Sequence, residues 1–101
     1  MNVVAISGNV SAKIEFARTG GGTPVCTFQM ASDRHTRDTV ITAWVKVNAY
    51  GAGLVEACRQ RLAKGRYVVV EGELMNRDGR MGELLEVRAR RIDFPNNNNE
   101  S

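Results

Sequence analysis

Trp44, Lys46 and Tyr50 stand at even spacing within Val40–Tyr50, VITAWVKVNAY. At a period of two they share a strand face with Val40, Thr42 and Asn48, while Ile41, Ala43, Val45, Val47 and Ala49 fall on the other. The second set is uniformly apolar and faces a core. The first carries the only Trp in the chain, a cation two residues on and a terminal Tyr. Flat rings beside a cation on the outer face of a strand suit stacking on unpaired bases while the cation holds their phosphates. Aromatic residues are also enriched at protein interfaces, so a Trp44 covered by another subunit is the competing reading.

Other cations gather around this strand. Arg34 and Arg37 precede it in the polar stretch Asp33–Asp38, Arg77 and Arg80 flank Asp78-Gly79, and Arg88 and Arg90 share the outer face of the last strand. Catalytic signals are weak. His35 is the only His and lies in a polar loop, whereas a zinc site takes three or four ligands. Cys26 and Cys58 lack metal-ligand or redox spacing, and each falls on an apolar face, where it reads as a small buried hydrophobe. Gly20-Gly21-Gly22 is not followed by the Lys-Ser/Thr pair of a phosphate loop, and Gly51-Ala52-Gly53 lacks the third glycine of a dinucleotide site. Glu71 and Glu73 share a strand face without a partner base or nucleophile. No enzymatic activity, cofactor or metal is expected.

The elements that must position these residues follow from periodicity. Val3–Val10 is β-branched and reads as a first strand, with Ser11–Phe16 continuing it past a bend at Gly8-Asn9. Thr19–Pro24 is a glycine-rich turn. Val25–Ser32 alternates, with Cys26, Phe28 and Met30 inward, and Asp33–Asp38 is the hairpin loop into the Trp44 strand. Leu54, Cys58 and Leu62 recur at helical spacing, giving one amphipathic helix. Arg59, Arg61 and Lys64 crowd its last turns and Gly65 is its stop. Tyr67–Leu74 is a strand, Asn76–Gly82 a tight turn around Asp78-Gly79, and Leu84–Ile92 a last strand with Leu85, Val87 and Ala89 on one face. Three strands, a helix and two more strands make an all-β protein. The layout is that of a five-stranded Greek-key barrel, the OB-fold, with its helix between the third and fourth strands. In such a barrel Arg34, Lys46, Arg77 and Arg80 converge with Trp44 and Tyr50 on the usual ligand surface.

Composition bounds the rest. The 101 residues are 43% hydrophobic and 25% charged with a net charge of +3, which fits one soluble domain with a mild basic excess. Residues 1–94 form that domain, and 95–101 a disordered polar tail. MNVVAISGNV lacks the features of a signal peptide, and no apolar run is long enough to span a membrane, so a cytoplasmic location is expected.

The strand Asn2–Val10 and the run Pro24–Ala31 resemble the first two strands of the bacterial single-stranded DNA-binding protein family. Trp44-Val45-Lys46-Val47-Asn48-Ala49-Tyr50-Gly51 resembles its third, followed at family spacing by Leu54–Ala57, Leu62-Ala63-Lys64-Gly65 and Val68–Leu74. The resemblance implies an OB-fold homo-oligomer, a tetramer by preference and otherwise a dimer, that binds single-stranded DNA without sequence preference. Its setting would be cytoplasmic and nucleoid-associated, in replication, recombination and repair. By position, Trp44 and Tyr50 match stacking aromatics, and Lys46, Lys64 and Arg77 match basic contacts. The loops Asp33–Asp38 and 76–82 lack the further aromatics common in the family, and a basic residue expected just after Glu15 is displaced to Arg18. The chain ends Asn99-Glu100-Ser101 instead of in a long acidic tip, so tail-mediated recruitment of replication and repair proteins is not expected. Two other readings stay open: a dimeric accessory factor similar to primosomal replication protein N, and a protein-interaction barrel that buries Trp44 and Tyr50.

Overall fold

Alternating apolar residues build most of the strands directly. The computed structural model describes residues 1–11, 13–76 and 85–96. Its elements are β1 (Val4–Val10), β2 (Glu15–Arg18), β3 (Pro24–His35), β4 (Val40–Tyr50), α1 (Ala52–Arg61), β5 (Tyr67–Asn76) and β6 (Leu85–Asp93). On β3, Cys26, Phe28 and Met30 are wholly buried, and on β4 Val45, Val47 and Ala49 face the same core. Val68 and Val70 of β5 and Val87 and Ala89 of β6 complete it.

The sheet order is β1-β5-β6-β4-β3-β2, and a further pairing of β1 with β3 closes five strands into a barrel. β2 is an added edge strand on β3. All pairings are antiparallel except β4 with β6, which run parallel. This is the expected five-stranded barrel with its helix between the third and fourth barrel strands. Closure satisfies backbone groups that an open sheet would leave bare. Helix α1 covers the barrel with Val55 and Cys58, which join the core cluster. Gly51 turns the chain from β4 into α1 at φ 103, a conformation that favours glycine.

Five expectations change. Ser11–Phe16 does not continue β1: the chain turns through Lys13 at φ 76, and Glu15–Arg18 pairs separately along β3. Asp33–His35 is not loop but the end of β3, and the turn is confined to Thr36–Thr39, closed by the Thr36 N–H donating to the Thr39 carbonyl at 2.8 Å. Ile41 and Ala43 are exposed rather than core-facing, because the β3–β4 hairpin outgrows the barrel and both its faces meet solvent there. The inward phase of β6 also shifts. Glu71 pairs with Arg91 but Gly72 with Ala89, so Arg90 is an extra residue that bulges, and Ile92 turns inward in place of Arg91. Gly72 sits at this bulge, where any Cβ would run into the Arg88 carbonyl. The helix ends earlier than expected, at Arg61, and Gly65 (φ 88) turns the following segment into β5. The Asp78-Gly79 turn and most of the polar tail lie outside the described residues.

Candidate nucleic-acid interface

β4 runs through the outer face of the sheet between β3 and β6. Trp44 lies opposite Ala31, Lys46 opposite Gln29, Asn48 opposite Thr27, and Tyr50 opposite Val25. From β6, Glu86 lies beside Lys46 and Arg88 beside Asn48. Trp44 and Tyr50 are six residues apart on one strand, about 20 Å at strand rise. Trp44 is 56% exposed: its cross-strand neighbour is an alanine, too small to cover the indole. Tyr50 is 38% exposed, and the Arg88 guanidinium stands 4.9 Å from its ring centroid. That is a cation–π arrangement with the cation's rim left for a ligand.

The centre of the face is a polar relay. Thr27 Oγ1 donates to Asn48 Oδ1 at 3.0 Å, and Asn48 Nδ2 donates to Glu86 Oε1 at 2.9 Å. Glu86 Oε2 lies 3.9 Å from Lys46 Nζ. The cation between the two rings is therefore partly neutralised by a fixed carboxylate. Beside it a shallow cavity of about 250 Å³ is lined by Lys13, Glu15, Thr27, Gln29 and Lys46. Its polar walls and two lysines suit a phosphate group better than an apolar ligand.

The remaining predicted contacts fall in different places. Arg34 pairs with Ile41, one residue out of phase with the Asp33–Thr42 pair, so it projects from the hairpin face opposite Trp44. Arg37 lies in the exposed tip. Lys64 belongs to the α1–β5 turn, which the Asn9 side chain ties down by donating to the Gly65 carbonyl at 3.1 Å. Asn9 pairs with Ala31, which pairs with Trp44, so this turn borders the Trp44 end of the face. Arg18 lies at the Tyr50 end, where it donates to the Gly22 carbonyl at 2.8 Å and closes its own loop. Arg77 and Arg80 lie outside the described residues. Trp44, Lys46, Tyr50 and Arg88 are thus brought together on one surface.

Sequence reasoning missed the Glu86 clamp and the Arg88–Tyr50 stack. Period-two reading put Glu86 and Arg88 on an outer face, but the parallel β4–β6 pairing that sets them beside Lys46 and Tyr50 joins segments about forty residues apart and leaves no local signal. Elsewhere, Cys26 and Cys58 are buried as free thiols. Contact with the Cys58 sulfur, and after it burial, pushes the Cys26 thiol far above the usual range. Among the described residues no three of His, Cys, Asp or Glu are grouped to hold a metal ion, and no helix is long and apolar enough to cross a membrane.

Residues 1–94 match the family model described as the single-strand binding protein family. Single-stranded DNA-binding protein 2 of Chlorobaculum tepidum is 38% identical over 95% of this chain and 72% of its own length. The single-stranded DNA-binding protein of Thermotoga maritima is 37% identical over 75% of this chain, which spans 57% of that protein. Among solved structures, the small single-stranded DNA-binding protein from Streptomyces coelicolor superposes with a TM-score of 0.78 at 26% identity, covering 92% of this chain and 91% of that one. The family match takes in every element of the barrel, with the exposed Trp44 strand at its centre: the chain belongs to the single-strand binding protein family.

Proposed function

We propose that this protein binds single-stranded DNA without sequence preference, stacking bases on Trp44 and Tyr50 and holding phosphates with Lys46 and Arg88. One observation carries the reading: two exposed rings about 20 Å apart on one strand, with cations between and beside them, in a chain of this family. The relatives' names point the same way. Arg37, Lys64 and Arg18 extend the basic surface beyond either end of the row, with Arg77 and Arg80 as further candidates. Arg34 reaches a strand only if it wraps the hairpin edge. Nothing in this scheme makes or breaks a covalent bond, so the role is protection rather than catalysis. We place it in the cytoplasm as a homo-oligomer, a tetramer by preference, serving replication, recombination and repair.

Titration with oligo-dT tests the reading through the single Trp. Stacking on Trp44 quenches its emission, and the log of the binding constant falls with log salt by about 0.7 per phosphate neutralised. Unchanged emission together with no salt dependence at low ionic strength refutes it.

A further inference from the structure

The helix side of the barrel carries a basic surface that the Trp44 row does not explain. The run Arg59-Gln60-Arg61-Leu62-Ala63-Lys64-Gly65-Arg66 holds four cations and no acid. Three of its arginines stand over rings from other elements. The Arg59 guanidinium stands 4.4 Å from the centroid of Phe16 on edge strand β2, and that of Arg61 stands 6.0 Å from Phe94, just past β6. Both arginines are exposed. Among the described residues no carboxylate lies within ion-pair distance of either. A guanidinium held over a ring, with no hydrogen-bond acceptor of its own, keeps its N–H donors available to a phosphate. Arg66 shows the contrast: it also faces Phe94, at 5.6 Å, but spends its NH2 group on the carbonyls of Phe94 and Pro95 and so anchors the chain.

We propose that Arg59 and Arg61, pre-oriented by Phe16 and Phe94, form a second phosphate-binding station on the helix side of the barrel. It takes up single-stranded DNA too long for the Trp44–Tyr50 face. The inference rests on the proposed single-stranded DNA binding. The two surfaces are continuous: the turn bearing Lys64 follows Arg61 directly and is tied through Asn9 to the row of Trp44. Charge also selects the occupant. A stretch with four cations and no acid fits a polyanion with evenly repeated charge.

The test compares oligo-dT of about 6 and about 20 nucleotides, near the lower end and beyond the upper end of the roughly 4–16 that one such barrel covers. The double variant Arg59→Ala/Arg61→Ala is expected to bind the short oligonucleotide as the wild type does. With the long one it loses about 1.4 from the salt slope, two phosphates at about 0.7 each. Arg59→Lys/Arg61→Lys keeps both charges and is expected to restore the slope. Thermal unfolding checks that each variant folds. Wild type that fails to bind the short oligonucleotide overturns the Trp44 reading and this one together. Wild type that binds it, with an unchanged slope for the double Ala variant on the long one, overturns this inference alone. A Lys variant as impaired as the Ala variant reduces the pair to packing. Loss of binding to an oligo-Glu peptide, with long DNA unaffected, hands the surface to a protein partner.

Discussion

Glu86→Gln is expected to tighten DNA binding, an uncommon direction for a substitution in a binding face. Glu86 is the carboxylate in the middle of the row, 3.9 Å from Lys46 Nζ. A phosphate docking on the open side of that ammonium, at about 2.8 Å, comes to rest roughly 6 Å from the carboxylate. Two unit charges at that separation repel by about 0.7 kcal/mol at the permittivity of water and about 2.8 kcal/mol at the effective value of a protein surface. Salt at 0.1 M, with a Debye length of about 10 Å, roughly halves this. A gain near 1 kcal/mol, about five-fold in affinity, is the expected outcome. Glutamine keeps an oxygen for the Asn48 side chain to donate to, so the relay from Thr27 survives. The lost ion pair costs the fold at most about 1 kcal/mol. Labelled oligo-dT titrated by anisotropy between low and moderate salt reads both the gain and a slope steeper by up to about 0.7. Affinity that is unchanged or weaker, in a variant that unfolds at the wild-type midpoint, refutes Lys46 as a phosphate contact.

Other substitutions separate binding from folding. Trp44→Ala should weaken anisotropy-measured binding by about 1–3 kcal/mol, the worth of one stacked base, while the denaturant midpoint moves by no more than about 0.5 kcal/mol, because the ring is half exposed opposite Ala31. Phe28→Ala should do the reverse, costing about 3–5 kcal/mol of stability in urea titrations through a cavity at a fully buried site. Gly72→Ala should yield little folded protein by circular dichroism, since the new methyl has only the Arg88 carbonyl to meet. The Cys26 thiol keeps its proton in the fold while an unfolded thiol loses it near pH 8.5. The unfolded state then binds fewer protons at Cys26, so this thiol makes stability fall as pH rises above that value, while Cys58, lowered by the same contact, opposes it. Urea titrations at pH 7 and pH 9.5 should show the decline, shallower in Cys26→Ala.

Wherever one strand face is buried and the other wet, the sequence announces it. Phe28, Val47 and Val87 were legible for that reason, and with them the barrel and the Trp44 row. The signal fails where burial is symmetrical. Past Trp44 both faces of the hairpin meet water, so Ile41 and Ala43 imitate core residues, and Asp33–His35 imitates a loop while pairing as strand. It fails again at Arg90, where one bulged residue moves the apolar phase from Ala89 to Ile92. Contacts made by closing the ring have no local trace at all. The Glu86–Lys46 pair and the Arg59–Phe16 stack each depend on segments that meet only in the finished barrel.

The ring itself is unevenly sewn. β3 and β4 share eleven register pairs, whereas β1 and β3 meet through only two, Asn9 with Ala31 and Val10 with Met30. A closed sheet opens first at its shortest seam, so among the amides bonded across the sheet exchange should be fast at Ser11, whose N–H donates to the Gln29 carbonyl across that seam at 2.9 Å, and slowest along the β3–β4 ladder. That seam borders the turn that carries Lys64, through the Asn9 link to Gly65. Breathing there moves a cation while leaving the two rings of β4 in place. A strand stacked on those rings would then keep its bases in place while one flanking phosphate contact is made and broken.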